Sequence, residues 1–457
     1  MKVMWPLALS PARTCLRERR ITANGLAKAA LGCWSRRDTA WRVVLHLGLW
    51  VAVAGMLGCG ESDSATSTAN RTRAVTQSFE MDKDIYVGVV WNSSQGNFFH
   101  GALLAAEDIE AEGGVQGRNL RLQFFDELPY VTSRSMQLSQ SQGRYRNAVQ
   151  LTGTALAREV ISDKRIAAVL GHSTAEFTLP AMLVYQANNM LFFSAGNSGA
   201  QHALTSHPLH IQLKPKVDLM VDALTEALKR RNWKSVFVIY EATRQNEHAL
   251  ELLRSRFPEA GITMTGAGGL TGKVTQSDRS SRRFASVLHQ LRDGNSSVIV
   301  MLTSPDFGGQ LVRDLRTLGV LQQIVGFSSL DDDKYVGIAG DAGLGTLVTT
   351  SYQSDTYLAK RFEDAFRKRF PGVEADEEAA IGYDSVRLYA DALSYSGRVN
   401  PQSVATTLNY KLPLWHGLLG SYRIEDGQVI SLKYGLRKLQ RDEEGKMRYV
   451  IVPKDPA

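Results

Sequence analysis

The sequence predicts an α/β protein built as two Rossmann-like, doubly wound lobes, and three observations predict it. From Asp84 onward, short β-branched or aromatic runs alternate with helix-period patterns. The alternation restarts midway, at a helical face of Val217, Met220, Val221, Leu224 and Leu228. The chain has 457 residues, about three times an ordinary single domain.

Taken in order, Ile85–Val90 reads as a buried strand. Phe99, Ala102, Leu103, Ala106 and Ile109 follow the i, i+3, i+4 spacing of an amphipathic helix. Gly113-Gly114 ends that helix, and Leu120–Phe125 makes the next strand. Strands at Ile166–Leu170 and Met190–Ser194 continue the set. After the restart come strands at 235–240, 262–265 and 297–302, separated by helices at 244–257, 281–293 and 307–319. Strands separated by helices imply parallel sheets with right-handed crossovers. From Gly417 to Val452 apolar and polar residues alternate around Asp426-Gly427, a hairpin signal.

Composition narrows the function classes. Hydrophobic content of 44% with 22% charged residues is that of a globular protein and excludes a wholly disordered or polytopic membrane chain. The net charge of +7 does not point to nucleic acid. Residues 1–58 hold Lys2, Arg13, Arg17, Arg19, Arg20, Lys28, Arg36, Arg37 and Arg42 against only Glu18 and Asp38, so they carry the whole excess. Arg279, Arg282 and Arg283 have no interleaved aromatics, so nucleic acid is not an expected partner.

Residues 43–58, VVLHLGLWVAVAGMLG, are apolar and too short to span a bilayer. Preceded by Arg36, Arg37 and Arg42, they read as the core of a signal peptide with an extended n-region, residues 1–58. Met56-Leu57-Gly58-Cys59 resembles a bacterial lipobox, which makes Cys59 the candidate lipidation site. Of the three cysteines, Cys15 and Cys33 precede that cut, so the mature chain has no cysteine pair for a disulfide or a metal. Residues 59–82 are polar and read as the lipidated Cys and a flexible tether.

Ligands of open α/β sheets sit beyond the carboxyl ends of the strands. There this sequence places Trp91-Asn92, Gly171-His172-Ser173-Thr174 and Ser194-Ala195-Gly196-Asn197-Ser198. Hydroxyls and amides in that pattern suit neutral hydrogen bonding to a small polar molecule, although the same residues also dominate ordinary loops. Trp91 is placed either against the ligand or in the core. Catalytic templates fail: Gly171–Ala175 and Gly196–Ala200 both miss the last Gly of a nucleophile elbow. Ala267 and Val274 break a phosphate loop, and His202, His207 and His210 surround Pro208 in a loop unsuited to a metal. Asp331-Asp332-Asp333 reads as a solvated turn. The expectation is a protein that is not an enzyme and carries no metal or cofactor.

The chain resembles the type I periplasmic binding proteins, specifically the substrate-binding lipoproteins of branched-chain amino-acid-type ABC transporters. The resemblance runs from Ile85–Val90 through Gly101-Ala102 and Glu107–Ile109 to Gly113–Arg118. It resumes at Ala167–His172, Gly382-Tyr383-Asp384, Asp391-Ala392 and Gly417–Gly420. It implies the type I periplasmic binding fold, two lobes joined by three hinge crossings, expected near 203–213, 346–353 and 411–420. Lobe 1 is expected at 83–205 plus 353–411, and lobe 2 at 206–346 plus 417–457.

Residue by residue, the resemblance places Ser198 where a carboxylate-binding Thr is usual, and Ala175 at the usual Ser of the first loop, with Ser173 and Thr174 beside it. Gln245 and Ser304 fall at aromatic positions, and Ser328 at that of the ammonium-binding acid, with Asp331 nearby. These departures make leucine or isoleucine a doubtful ligand and favour one with more hydrogen-bonding groups. The candidate ligand-binding residues are therefore Asn92, Ser173, Thr174, Asn197 and Ser198 in the first lobe and Glu241, Gln245 and Ser328 in the second, Glu241 being the expected partner of a cation. The expected role is a lipid-anchored extracytoplasmic receptor for a small polar ligand (an amino acid, an amide or a relative), membrane-bound through its anchor and delivering to an ABC permease. The alternative is a ligand-sensing or scaffold lipoprotein of the cell envelope using the same fold without transport.

Overall fold

The structure, a computed structural model, describes residues 84–127, 145–196, 207–270, 282–352, 354–412, 414–430 and 432–452. The expected signal peptide, Cys59, the tether, Asn197 and Ser198 lie outside the described residues.

Five strands of the first half, β1 (Asp84–Trp91), β2 (Asn119–Asp126), β3 (Ile166–Gly171), β4 (Leu191–Ser194) and β5 (His210–Gln212), pair in parallel in the order β2-β1-β3-β4-β5. Helices α1 (Asn97–Ala111), α2 (Tyr145–Ser162) and α3 (Ala175–Ala187) make the crossovers. Every residue of β3 and β4 is buried, as in strands covered on both faces.

The second half repeats the scheme. Its strands β6 (Ser235–Glu241), β7 (Thr263–Leu270), β8 (Val298–Leu302), β9 (Gln323–Phe327) and β10 (Leu347–Thr350) run β7-β6-β8-β9-β10. Around them lie α4 (Val217–Arg230), α5 (Arg244–Glu259), α6 (Arg282–Asp293), α7 (Pro305–Thr317) and α8 (Asp333–Ala339). On α4 the predicted face of Val217, Met220, Val221, Leu224 and Leu228 is the buried one, the 3.6-residue period at work.

The chain then returns to the first lobe through α9 (Tyr357–Arg369), α10 (Glu377–Ser396) and α11 (Pro401–Thr406). Helices α1 and α10 touch backbone to backbone. A Cβ at Gly101 would lie 1.9 Å from the carbonyl oxygen of Ala379, and one at Gly382 would lie 2.0 Å from that of Phe98. Two of the glycines that carried the family resemblance are thus the two faces of one contact. Tyr383 OH donates to Asp108 at 2.8 Å across the same seam.

The sheets draw the lobe boundaries differently from the sequence expectation. Segment 206–213 was expected in lobe 2, yet β5 pairs with β4, and Leu209, Ile211 and Leu213 are buried in the first core. Segment 417–430 was also expected there. Instead β11 (Trp415–Gly417), β12 (Gly420–Glu425) and β13 (Gln428–Ile430) extend the first sheet beyond β5. Only β14 (Gly435–Arg441) and β15 (Met447–Val452) join the second, through β10. The first and third crossings accordingly lie after Leu213 and after Ile430, later than expected, whereas the second follows Thr350 inside its expected window. The Asp426-Gly427 turn is present, with φ of 49° and 73°, the positive pair that a two-residue hairpin needs.

Candidate functional site

Both sheets have the order in which the chain winds outward in two directions from one strand, so each has a switch point, between β1 and β3 and between β6 and β8. Crevices form at the carboxyl ends of such strands.

At the first switch point a network is built on Glu127, the residue after β2. Glu127, His172 and Tyr185 are each fully buried. His172 Nδ1 lies 2.5 Å from Glu127 Oε1, and its Nε2 lies 3.1 Å from Tyr185 OH. The Ser173 backbone N–H and hydroxyl both donate to Glu127 Oε2, at 3.1 and 2.6 Å. Gly171 makes the bend possible: its φ is +123° and a Cβ would lie 2.0 Å from the Val90 carbonyl oxygen. Burial raises the Tyr185 phenol well above its ordinary pKa, with the Glu127 charge adding to the effect, so it keeps its proton. The carboxylate stands between the serine and the histidine. His172 therefore cannot take the Ser173 proton, and the set lacks the order of a nucleophilic triad.

At the second switch point Glu241 ends β6. Its Oε2 accepts from the Ser304 backbone N–H at 3.0 Å, and Ser304 is the N-cap of α7. The Asn246 amide donates to the Glu241 carbonyl at 3.0 Å, and Thr243 Oγ1 caps α5 by accepting from Asn246 N at 3.3 Å. Gln245, in the first turn of α5, is half-buried. Ser328 follows β9 on the same edge and is buried at the head of a short 3-10 turn.

Chain comparison fixes the family. Residues 149–440 match the family model described as periplasmic binding protein. This chain belongs to that family. A Leu/Ile/Val-binding protein homolog 1 of Brucella suis is 21% identical over 380 residues, which cover 80% of this chain and 93% of that one. Among solved structures, an ABC transporter substrate-binding protein of Desulfitobacterium hafniense in complex with Leu aligns with a TM-score of 0.65 at 21% identity, over 80% of this chain and all of that one. A Rhodopseudomonas palustris solute-binding protein in complex with 3,4-dihydroxybenzoic acid gives the same TM-score at 16% identity, over 81% and 97%. The fold is therefore that of type I periplasmic binding proteins, as the sequence predicted. Among the described residues no helix is long and apolar enough to cross a membrane, and no group of acids, histidines or cysteines could hold a metal.

The sequence-predicted residues of this family member divide. Asn92 and Thr174 are exposed and Ser173 half-buried at the first edge, and Glu241, Gln245 and Ser328 share the second. Trp91 belongs to the core: it is buried and stacks on Phe98 with ring centroids 4.1 Å apart. Asp331 is not in a solvated turn. It is buried, 2.5 Å from Arg437 Nη1, and burial pushes its carboxyl up to about 6 even against that guanidinium. Its charge is thereby matched within the chain. Asp332 caps α8, accepting from Lys334 N at 2.7 Å. Sequence reading missed Glu127. The signal available was the acidic pair Asp126-Glu127 at the carboxyl end of a predicted strand.

Proposed function

We propose that this protein is a lipid-anchored extracytoplasmic solute receptor that closes on a small polar ligand, an amino acid, an amide or a relative, and delivers it to an ABC importer. The observation that carries the reading is the repeated strand order. Each lobe presents one switch point, and each switch point is lined by polar loops. Closure would place the ligand against both edges, and a ligand moves an open–closed equilibrium only by binding the closed form better. The anchor rests on Met56-Leu57-Gly58-Cys59 behind an uncharged apolar run. A doubly acylated Cys59 would hold the protein stably at a membrane, where one chain holds only marginally.

Thermal unfolding of the purified protein against amino acids, amides, polyamines and small aromatic acids tests the receptor. A ligand that binds only the folded form raises Tm by mass action. We expect a clear rise with one chemical class, lost in Ser198→Ala or Glu241→Ala. A folded protein that responds to nothing in the panel would contradict transport and favour an interaction module. For the anchor, Cys59→Ala is expected to move the protein from the membrane fraction to the soluble one.

A further inference from the structure

We propose that the junction between the lobes is a proton-sensitive hinge, in which carboxylates of the two lobes face each other across one cleft and move apart when they ionise. The inference needs the two-lobed fold and not the solute, so it stands or falls separately from the receptor reading.

The cleft lies between elements of different lobes. On the lobe 2 side Asp331, Asp332 and Asp333 lead into α8, with Arg437 of β14 and Tyr449 of β15 beside them. On the lobe 1 side Glu374 and Asp376 lie just before α10. One ion pair crosses the gap, Lys446 Nζ to Glu374 Oε1 at 2.5 Å. Arg437 is engaged by Asp331 within lobe 2, and Arg448 lies 3.5 Å from Asp442. Asp376 accepts from neutral donors, the Ala379 N–H and the Asn97 amide, each at 2.8 Å. Two donors lining the cleft, Tyr449 OH and Arg437 Nε, have no hydrogen-bond partner among the described residues, although both side chains are only 6% exposed. A finished interface pairs such groups, and this one retains room to move.

The acids also sit on the pivot. Glu377, next to Asp376, accepts from Ser351 N and Oγ, both at 2.6 Å, and from Thr350 Oγ1 at 3.3 Å, where the second crossing leaves β10. Burial raises the Glu378 carboxyl, opposed by Lys214 at the first crossing and by Lys334, while Asp332 and Glu377 add to the rise.

Each lobe's charge acts on the other's acids. Burial raises Asp376 well above the carboxylate range, Glu378 adds to this, and so does Asp331 from the opposite lobe. Burial likewise raises Asp333, with Asp332 and, across the cleft, Glu374 adding, against Lys446 and the Glu374 backbone. Asp332 is raised by burial, with Asp306 of α7 adding and Lys334 opposing. Carboxylates that repel one another bind protons more tightly when crowded than when apart. A rise in pH therefore favours conformations in which the head of α8 stands further from the head of α10. Any solute that changes the angle between the lobes is thereby linked to proton uptake or release.

Spin labels at Lys368 in lobe 1 and Glu443 in lobe 2, both exposed, test this by double electron–electron resonance. The full chain would carry Lys368→Cys and Glu443→Cys, with Cys15→Ser, Cys33→Ser and Cys59→Ser to confine the labels. We expect the distance to lengthen from pH 5 to pH 8. Asp333→Asn with Asp376→Asn should abolish the change, and asparagine can still cap α10. Asp331 is kept, because its loss would strand the Arg437 charge. Asp333→Asn alone should reduce the change, which keeps the test open to failure if the double variant does not fold. Asp384→Asn, which removes an acid lying wholly within lobe 1, should leave the lengthening intact. A distance that stays constant or shortens overturns the proposal. So does a lengthening that survives the Asn variants undiminished or vanishes in Asp384→Asn.

Discussion

The two sheet edges hold similar carboxylates in opposite situations. Glu127 is fully buried and three donors converge on it from two neighbouring residues. Glu241 is half-buried and, among the described residues, a single backbone N–H meets its carboxylate. The difference separates two roles that sequence alone cannot distinguish. A carboxylate whose bonds are complete orders the loop around it, whereas one with an oxygen to spare can receive a solute.

The largest effect should come from breaking the first of these. Glu127→Ala leaves the buried His172 ring and both donors of the half-buried Ser173 without their acceptor, and we expect a loss of about 3 kcal/mol or more in urea unfolding. Glu241→Ala should stay within about 1 kcal/mol of wild type while abolishing the Tm response to ligand. Equal losses would erase the distinction.

Asp384 sharpens the comparison, being a buried carboxylate with neither histidine nor cation. It accepts from Leu418 N at 2.9 Å and Leu419 N at 3.0 Å, tying α10 to the β11–β12 turn. Burial pushes its carboxyl up to about 7, against the pull of those two bonds. The folded protein therefore binds a proton that the unfolded chain has released. The associated stability is fully present below about pH 4 and is lost as pH rises through about 7. Urea midpoints measured from pH 4 to 8 should fall with pH, and Asp384→Asn should flatten the slope. It should also cost on the order of 1–2 kcal/mol at pH 5, since its amide can serve only one of the two donors. A slope unchanged in the variant would remove Asp384 as its source.

The smallest effect contrasts two threonines that precede helices. Thr243 caps α5 with its hydroxyl, and Thr174 precedes α3 with no side-chain cap. Thr243→Ala should cost about 1 kcal/mol, and Thr174→Ala less than about 0.5, read from the same unfolding curves.

Much of this architecture is legible in the sequence because it rests on local periodicity. The buried strands, the amphipathic face of α4 and the Asp426-Gly427 turn each follow from residues close in the chain. What escaped depends on distant pairing. Strands β5 and β13 have three residues apiece, too few for a pattern to reveal which sheet they join. Strand β5 joins the first sheet by pairing with β4, 18 positions earlier, and β13 joins it through β5, Gln212 opposite Gln428. The site divides along the same line. The loop around Ser173 was visible as a polar segment after a strand, and the second-lobe edge through the family resemblance. Glu127 was not, because its meaning lies in His172, 45 residues away, just as that of Glu241 lies in Ser304, 63 residues away. Asp331 misled for the same reason, its partner Arg437 being 106 positions distant.

The most direct test of the central claim, that one solute is held between the two edges, is small-angle X-ray scattering of the full protein with and without a ligand that raises its Tm. Closure predicts a smaller radius of gyration with ligand, and no change in Glu241→Ala at the same ligand concentration. A Tm rise with an unchanged radius, undiminished in Glu241→Ala, would place the ligand on one lobe and contradict it.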